Sequence, residues 1–214
     1  MEKKLEVSVI SPVFNERENL KTFVDSVTKV MHSTGMSWEL IVVDDGSDDG
    51  STTVIKELTN QDNIKCLLLA KNYGQTTAIQ AGFDNAIGKY LVTLDSDLQN
   101  DPKDIPALLH KLIEEELDLV VGWRKNRKDN YFLRNLPSSI ANKLIGNITG
   151  VKLHDYGCSL KAYRADVLKE VRLYGEMHRF IPAWMATKIP ASKISELVVT
   201  CLLYTSDAAD DLRC

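Results

Sequence analysis

The chain has 214 residues, 44% of them hydrophobic and 26% charged, which is typical of a globular protein and excludes collagenous and largely disordered classes. The formal net charge of -4 gives no overall basic field, so binding to nucleic acid is not expected. The four cysteines lack the paired spacing of a zinc site, and no apolar run reaches the roughly 18 residues of a membrane span.

Apolar runs rich in β-branched residues alternate with amphipathic segments along most of the chain. After the first run, apolar residues recur at steps of three and four from Leu20 to Met31, which predicts a helix with one buried stripe. A helix of small residues from Gln75 to Ala86 is expected to lie close to a sheet. The predicted strands cover residues 7–13, 38–43, 64–69, 90–94, 117–122 and 194–199. This alternation predicts an α/β fold with a mainly parallel central sheet flanked by helices.

Acidic side chains follow two of these strands. Asp44 and Asp45 come directly after the second strand, and Asp95 and Asp97 come after the fourth. Open α/β sheets bind their ligands at the carboxyl ends of the strands. The sequence therefore predicts that carboxylates gather where a ligand binds.

The run after the fourth strand has two interpretations. Asp95, Asp97 and Gln99 are spaced by two, so on an extended chain they project to the same side. Three hard oxygen donors suit Mg²⁺ or Mn²⁺ held jointly with substrate phosphates. The alternative is a polar turn in which Asn100 or Asp101 caps the helix that follows.

The strand and helix rhythm breaks after residue 122. Residues 123–130 form a basic polar loop, and Arg134 lies at the start of the next predicted helix. These cations either face phosphates or are simply solvated. Residues 177–185 combine apolar side chains with Arg179, which indicates either a core helix or a partly interfacial one.

Five runs together carry a resemblance to a known family. They are residues 11–16, 42–47, 95–102, 121–124 and 155–164. In this order they resemble the family 2 glycosyltransferases of the GT-A fold, a Rossmann-like fold of nucleotide-diphospho-sugar transferases. The similarity covers about residues 5–199 and is strongest to the polyprenyl-phosphate sugar transferases, the branch that includes dolichol-phosphate mannose synthase and the undecaprenyl-phosphate glucosyltransferases.

The resemblance implies a nucleotide-diphosphate sugar as the donor. By that resemblance, the residues that line the nucleotide pocket are Pro12, Asn15, Glu16 and Asp45. Asp45 is expected to accept a hydrogen bond from the base, which agrees with its chemistry because an ionised carboxylate is an acceptor only. Asp95 is expected to contact the donor as well.

The resemblance also implies how transfer occurs. Asp95, Asp97 and Gln99 are expected to hold Mg²⁺ or Mn²⁺ on the diphosphate, with Asp97 essential for catalysis. The implied acceptor is a polyprenyl phosphate, dolichyl or undecaprenyl, whose anionic oxygen needs cations to place it. Arg124 and Arg134 are the predicted acceptor-binding residues, and direct displacement gives inversion at the sugar.

The resemblance further predicts domain limits and location. Residues 1–199 are expected to form a catalytic domain truncated at its C-terminal side, making the chain a fragment. Residues 200–214 show neither strand nor helix periodicity and are interpreted as a non-native or frame-shifted tail. We expect association with the cytoplasmic face of the membrane, either peripheral or through a C-terminal region absent here. The sequence does not indicate an oligomeric state.

Three alternative functions stay open at this point. Another family 2 enzyme with a polysaccharide or soluble acceptor would share residues 7–102 and differ after residue 122. A receiver-like signalling domain also places acids after a strand, as at Asp44 and Asp45, but needs only about 120 residues. A non-catalytic module that binds nucleotide sugars is the third.

Overall fold

The computed structural model describes residues 5–125, 146, 150–168 and 171–202. The strands in this part of the chain are β1 (Val7–Val13), β2 (Trp38–Asp44), β3 (Ile64–Leu68), β4 (Tyr90–Thr93), β5 (Leu119–Trp123), β6 (Lys161–Arg164) and β7 (Ile194–Val198). The longer helices are α1 (Arg17–Ser33), α2 (Ser51–Leu58), α3 (Gln75–Asn85) and α4 (Ile105–Glu114). Shorter helical segments cover Pro102–Asp104, Ala165–Leu168, Met177–Phe180, Ile181–Met185 and Ala191–Lys193.

The described strands form one mixed sheet in the order β3-β2-β1-β4-β6-β5-β7. Pairing is parallel between β1 and β2, β1 and β4, β2 and β3, and β5 and β7. Strand β6 lies antiparallel between β4 and β5. The predicted α/β fold with a mainly parallel sheet is confirmed, and the predicted strand limits agree with the structure to within two residues.

The strand order reverses direction next to β1. From β1 the chain first builds outward through β2 and β3, and then returns to the other side of β1 at β4. In open α/β sheets such a switch point leaves a crevice at the carboxyl ends of the strands, where ligands bind. The crevice here lies between the residues that follow β1 and β4.

The core covers both faces of the central strands. Every residue of β1, β2 and β4 is buried, as expected for strands with helices packed on both faces. Helix α1 buries the stripe Leu20, Phe23, Val24, Val27 and Met31, each contributing about 1.5–3 kcal/mol of hydrophobic stabilisation. Helix α3 lies close to β1, since a Cβ added at Gly82 would lie 2.3 Å from Cγ2 of Ile10. The predicted close approach of this small-residue helix is confirmed.

The segment 177–185 enters the core only through its second half. Ile181 and Met185 are 1% and 0% exposed, whereas Phe180 is exposed. The core interpretation is therefore confirmed for Ile181, Pro182 and Met185, while Ala183 and Trp184 are partly buried. No helix among the described residues is both long and apolar enough to cross a lipid bilayer.

The first residues of the interpreted tail contact the turn after β4. The N–H of Thr200 donates to a carboxylate oxygen of Asp104 (2.6 Å), and the N–H of Leu202 donates to the Gln99 carbonyl (2.8 Å). Cys201 forms an isolated antiparallel bridge with Asn100. The rest of the tail, residues 203–214, lies outside the described residues.

Candidate active site

A cavity of about 310 Å³ opens at the carboxyl ends of β1, β2 and β4. Its size lies within the range of small-molecule sites in proteins. Its lining consists of Pro12, Val13, Phe14, Glu16, Asp45, Asn72, Gly74, Gln75, Asp95, Ser96 and Asp97. The structure thus brings together Asp45, Asp95 and Asp97, which come from two different strand ends.

Asp45 anchors the loop that leads into α3. One carboxylate oxygen accepts the N–H of Tyr73 and the other accepts the N–H of Gly74, both at 2.8 Å. The side chain is 2% exposed. A carboxylate has about four lone-pair sites, so each oxygen retains one acceptor site for a ligand. Asp45 therefore fixes the wall of the cavity and can still accept a hydrogen bond from a bound base.

The loops after β2 and β3 touch backbone to backbone at Gly46. Its φ is +74°, a region that side chains disfavour, and a Cβ there would lie 2.4 Å from the carbonyl carbon of Lys71. Glycine is therefore required at this position by conformation and by space. This contact keeps the residues before α3 against the end of β2.

Asp95 lines the cavity and is a weaker acid than an ordinary aspartate. Burial raises its pKa to about 6, helped by the charge of Asp97 and opposed by Ser159, Lys161 and Gln75. The side-chain amide of Gln75 donates to one of its oxygens at 2.7 Å. In the absence of a bound cation, the site thus disfavours the negative charge on Asp95.

Asp97 belongs to a tight turn that follows Asp95. Burial raises its pKa, while the charge of Arg124 acts in the opposite direction. One Asp97 oxygen accepts the backbone N–H of Gln99 at 3.0 Å, and Leu98 between them has a φ of +60°. Gln99 itself is not among the residues that line the cavity. Its role as a third metal ligand stays a prediction.

The capping interpretation of this run also applies. A side-chain oxygen of Asp101 accepts the N–H of Lys103 at 3.0 Å and caps the short helix Pro102–Asp104. Asn100 instead turns inward, and its amide donates to the hydroxyl of Ser159 at 2.9 Å. The carboxylates of the run therefore divide between the cavity and the cap.

Two of the carboxylates that line the cavity, those of Asp95 and Asp97, fit a divalent cation by their chemistry. Among the described residues, no group of three or more His, Cys, Asp and Glu side chains is arranged to hold a metal by itself. Asp95 and Asp97 instead supply hard oxygen atoms whose combined charge lacks full compensation. Such a pair suits Mg²⁺ or Mn²⁺ whose remaining ligands are phosphate oxygens and water.

Asn15 lies beside the cavity without lining it. Its N–H donates to the hydroxyl of Ser47 at 3.0 Å, and its amide exchanges hydrogen bonds with Asp48 at 2.9 and 3.0 Å. Its left-handed φ of 56° forms the sharp turn that this arrangement requires. Asn15 thus ties together the loops after β1 and β2, whereas Pro12 and Glu16, predicted with it, do line the cavity.

Arg124 is held by Asp155. The guanidinium donates to both carboxylate oxygens at 2.8 and 3.1 Å, a bidentate pair that is mostly buried. Burial opposes the charge of Arg124, but the hydrogen bond and charge of Asp155 outweigh it and raise the pKa of the guanidinium. Within the described part of the chain, these bonds use two of the five N–H groups that an arginine side chain carries. Arg134, the other predicted acceptor ligand, lies outside the described residues.

Sequence reasoning missed several polar residues around the cavity. Gln75 was traceable, because a helix predicted to begin there starts at the same edge of the sheet as the acidic runs. Asp155 and Lys161 lie in the run 155–164 that carries the family resemblance, but no local pattern indicated their neighbours, which come from distant parts of the chain.

Comparisons with known proteins place the chain in a family. Residues 8–172 match the family described as Glycosyl transferase family 2. The chain is 54% identical over 198 residues to a dodecaprenyl-phosphate galacturonate synthase of Rhizobium johnstonii, covering 92% of this chain and 59% of that protein. It is 41% identical over 192 residues to an undecaprenyl-phosphate 4-deoxy-4-formamido-L-arabinose transferase of Salmonella paratyphi B, covering 86% of this chain and 58% of that protein. The chain thus spans less than two thirds of each relative.

A solved structure agrees in fold. Glucosyl-3-phosphoglycerate synthase from Mycobacterium tuberculosis, in complex with Mn²⁺, uridine diphosphate and glucosyl-3-phosphoglycerate, superposes with a TM-score of 0.71 at 17% identity. The superposition covers 91% of this chain and 70% of that one, which confirms the GT-A fold. The receiver-like alternative is wrong, because the family match runs from β1 through β6 and includes both acidic runs. The chain belongs to glycosyl transferase family 2.

Proposed function

We propose that the chain is the catalytic part of an inverting transferase that moves a sugar from a nucleotide-diphosphate sugar to a polyprenyl phosphate. One observation carries the proposal: Asp45, Asp95 and Asp97 line a single cavity at the switch point of the sheet. Both relatives are named for a polyprenyl phosphate, dodecaprenyl phosphate in one and undecaprenyl phosphate in the other, which supports the choice of acceptor.

The donor occupies the cavity in this proposal. Asp45 accepts a hydrogen bond from the base, and Pro12 and Glu16 form the neighbouring wall. Asp95 and Asp97 hold Mg²⁺ or Mn²⁺ against the diphosphate, as the manganese and uridine diphosphate in the related synthase structure support. When bound, the cation neutralises the charge that builds on the departing nucleoside diphosphate. Gln75 keeps Asp95 oriented through its hydrogen bond.

The acceptor approaches from the side of Arg124. Its phosphate is already an anion at neutral pH, so positioning matters more than removal of a proton. Asp155 fixes the guanidinium plane of Arg124 and leaves further N–H groups for the acceptor phosphate. Arg134 supplies a second cation in this proposal. Attack on the sugar carbon opposite the leaving group inverts its configuration.

The proposal includes the setting of the domain. A polyprenyl acceptor requires contact with a membrane surface, and we propose the cytoplasmic face, where nucleotide sugars are made available. We further propose that residues 1–199 belong to the catalytic domain and that residues 200–214 are a non-native or frame-shifted tail, of which Thr200 and Leu202 contact the segment after β4. Resequencing the coding region tests it, since a frame that continues unchanged through residue 214 contradicts a foreign tail.

The decisive experiment has a binding stage and a product stage. Uridine or guanosine diphosphate with Mn²⁺ should raise the melting temperature, whereas acetyl phosphate should not. Mass spectrometry should then detect a polyprenyl-phosphate sugar after incubation with nucleotide sugars, Mn²⁺ and undecaprenyl phosphate. Asp97→Ala should abolish this product, whereas Asp101→Ala, which removes a capping carboxylate outside the cavity, should retain it. Normal turnover by the Asp97 variant under chelation contradicts the mechanism, and product only with soluble acceptors supports the alternative acceptor class.

A further inference from the structure

A fully enclosed lysine lies in the sheet next to the cavity. Lys161, the first residue of β6, is 3% exposed, although lysine is almost never fully buried without a partner. Its Nζ donates to the carbonyl of Cys158. In the sheet Lys161 is in register with Thr93 of β4, two residues before Asp95. The ammonium group is therefore placed at the end of β4 that leads into the cavity.

The carboxylates around Lys161 favour its charged form. Burial is the largest effect and holds the pKa of Lys161 below its usual range, while the charges of Asp95 and Asp155 act in the opposite direction. The interaction is mutual, because the charge of Lys161 in turn favours the ionised forms of Asp95 and Asp155. A buried ammonium flanked by two carboxylates is an arrangement that proteins tolerate, whereas an isolated one is not.

Other groups also face this lysine. Arg124, at the end of β5, disfavours a second positive charge. The half-buried His178, from the Met177–Phe180 segment, has its pKa lowered chiefly by burial, with a contribution from Lys161. The Cys158 thiol stays neutral, since burial raises its pKa to about 11. Three carboxylates, Asp95, Asp97 and Asp155, thus lie near only two basic side chains, Lys161 and Arg124.

We propose that Lys161 is a built-in counter-cation that makes metal binding depend on the donor. In the free protein it partly neutralises the carboxylates and repels a divalent ion from Asp95 and Asp97. A nucleoside diphosphate brings negative charges of its own, which outweigh this repulsion, so metal and donor bind together. The inference rests on the proposed function, and it makes Lys161 a positioning residue that acts through Asp95.

Removal of the Lys161 charge should have two effects, tighter Mn²⁺ binding and a lower melting temperature. Lys161→Gln removes the charge but keeps an N–H for the Cys158 carbonyl, and Lys161→Met removes both. Each variant should bind Mn²⁺ more tightly than the wild-type chain without nucleotide, on the order of tenfold, because one nearby cation is gone. Each should also melt at a lower temperature under chelation, because buried carboxylates lose their partner. A lysine with only a structural role predicts weaker Mn²⁺ binding together with the lower melting temperature.

Electron paramagnetic resonance of free Mn²⁺ measures the affinity, and thermal unfolding measures the stability. The matched control is Tyr163→Phe, two residues along β6, which removes a fully buried hydroxyl but no permanent charge. It should lower the melting temperature and leave the Mn²⁺ affinity unchanged. Mn²⁺ binding no tighter than wild type in whichever Lys161 variants fold overturns the inference. The proposed function has its own arm: it fails if the wild-type chain binds no Mn²⁺ even with uridine or guanosine diphosphate.

Discussion

Replacement of Asp45 by asparagine tests whether this residue holds the cavity wall as well as reading the donor. In the native chain its two oxygens accept the N–H groups of Tyr73 and Gly74, each at 2.8 Å. Asparagine has almost the same shape but offers one carbonyl oxygen and one NH₂ group. One backbone N–H therefore keeps an acceptor, while the other faces a donor in a site that is 2% exposed.

The expected loss follows from these two bonds. A hydrogen bond to a charged group contributes about 1.5–3 kcal/mol, and a neutral one contributes about 1 kcal/mol. Asp45→Asn weakens one bond to the neutral value and eliminates the other. The Gly74 N–H keeps the side-chain oxygen of Asn72 as a second acceptor at 3.0 Å, so the asparagine carbonyl is expected to face Tyr73. We therefore expect the free energy of unfolding to fall by about 1–3 kcal/mol.

Urea unfolding followed by circular dichroism measures this change without any ligand. The matched control is Asp48→Asn, an exposed acid of the same loop whose carboxylate accepts the side-chain amide of Asn15 at 2.9 Å. The control should lose less than about 1 kcal/mol, because an exposed bond exchanges easily with water. Equal and small losses in both variants would refute the anchoring role and leave Asp45 with ligand recognition alone.

The other predictions concern backbone space, the acid pair and the arginine pair. Gly46→Ala should lower the unfolding free energy by about 2–4 kcal/mol. Gly35 also has a positive φ but has open space around it, so Gly35→Ala should cost only about 1 kcal/mol. Equal losses in the two variants would contradict the close contact between the loops. Burial raises the pKa of Asp95 from 3.8 to about 6, so the metal-free fold should lose about 3 kcal/mol of unfolding free energy as the pH rises from 4 to above 6. Urea unfolding at several pH values measures this loss, which Asp95→Asn should remove. The same pH profile in both chains would contradict the prediction. A lysine at position 124 cannot form the bidentate pair with Asp155. In Arg124→Lys the pKa of Asp155 should therefore rise, and the free energy of unfolding should fall by about 1–3 kcal/mol. Nuclear magnetic resonance titration of the Asp155 carboxylate measures the first effect, and an unchanged pKa would contradict the pairing.

The strands were predictable because burial on two faces leaves a strong trace in the sequence. Strands β1 and β2 are buried along their whole length, and a short, mainly apolar run rich in β-branched residues is typical of a strand covered on both faces. Helix α1 was equally clear, since its buried residues follow the helical period. The acidic ends of β2 and β4 then indicated the edge of the sheet where ligands bind.

Direction and pairing in the second half of the sheet were beyond the sequence. Strand β6 is four residues long and runs antiparallel between two parallel strands, an arrangement fixed by tertiary contacts rather than by any local period. The Arg124 and Asp155 pair joins residues 31 positions apart and carries no periodic signal either. For Asp45 the sequence indicated a ligand contact, but its bonds to the loop before α3 depend on how two separate loops meet.

The acids near the cavity are not equivalent, and their partners distinguish them. Asp45 gives both oxygens to backbone N–H groups, and the pKa of Asp155 is lowered because Arg124 outweighs the effect of its burial. Asp95 and Asp97 differ, since burial raises the pKa of both and their partners do not restore the usual value. A cation that enters the cavity gains most where negative charge is least compensated. The charge distribution of the folded chain therefore favours Asp95 and Asp97 as the place for a divalent ion, independently of the motif that first indicated them.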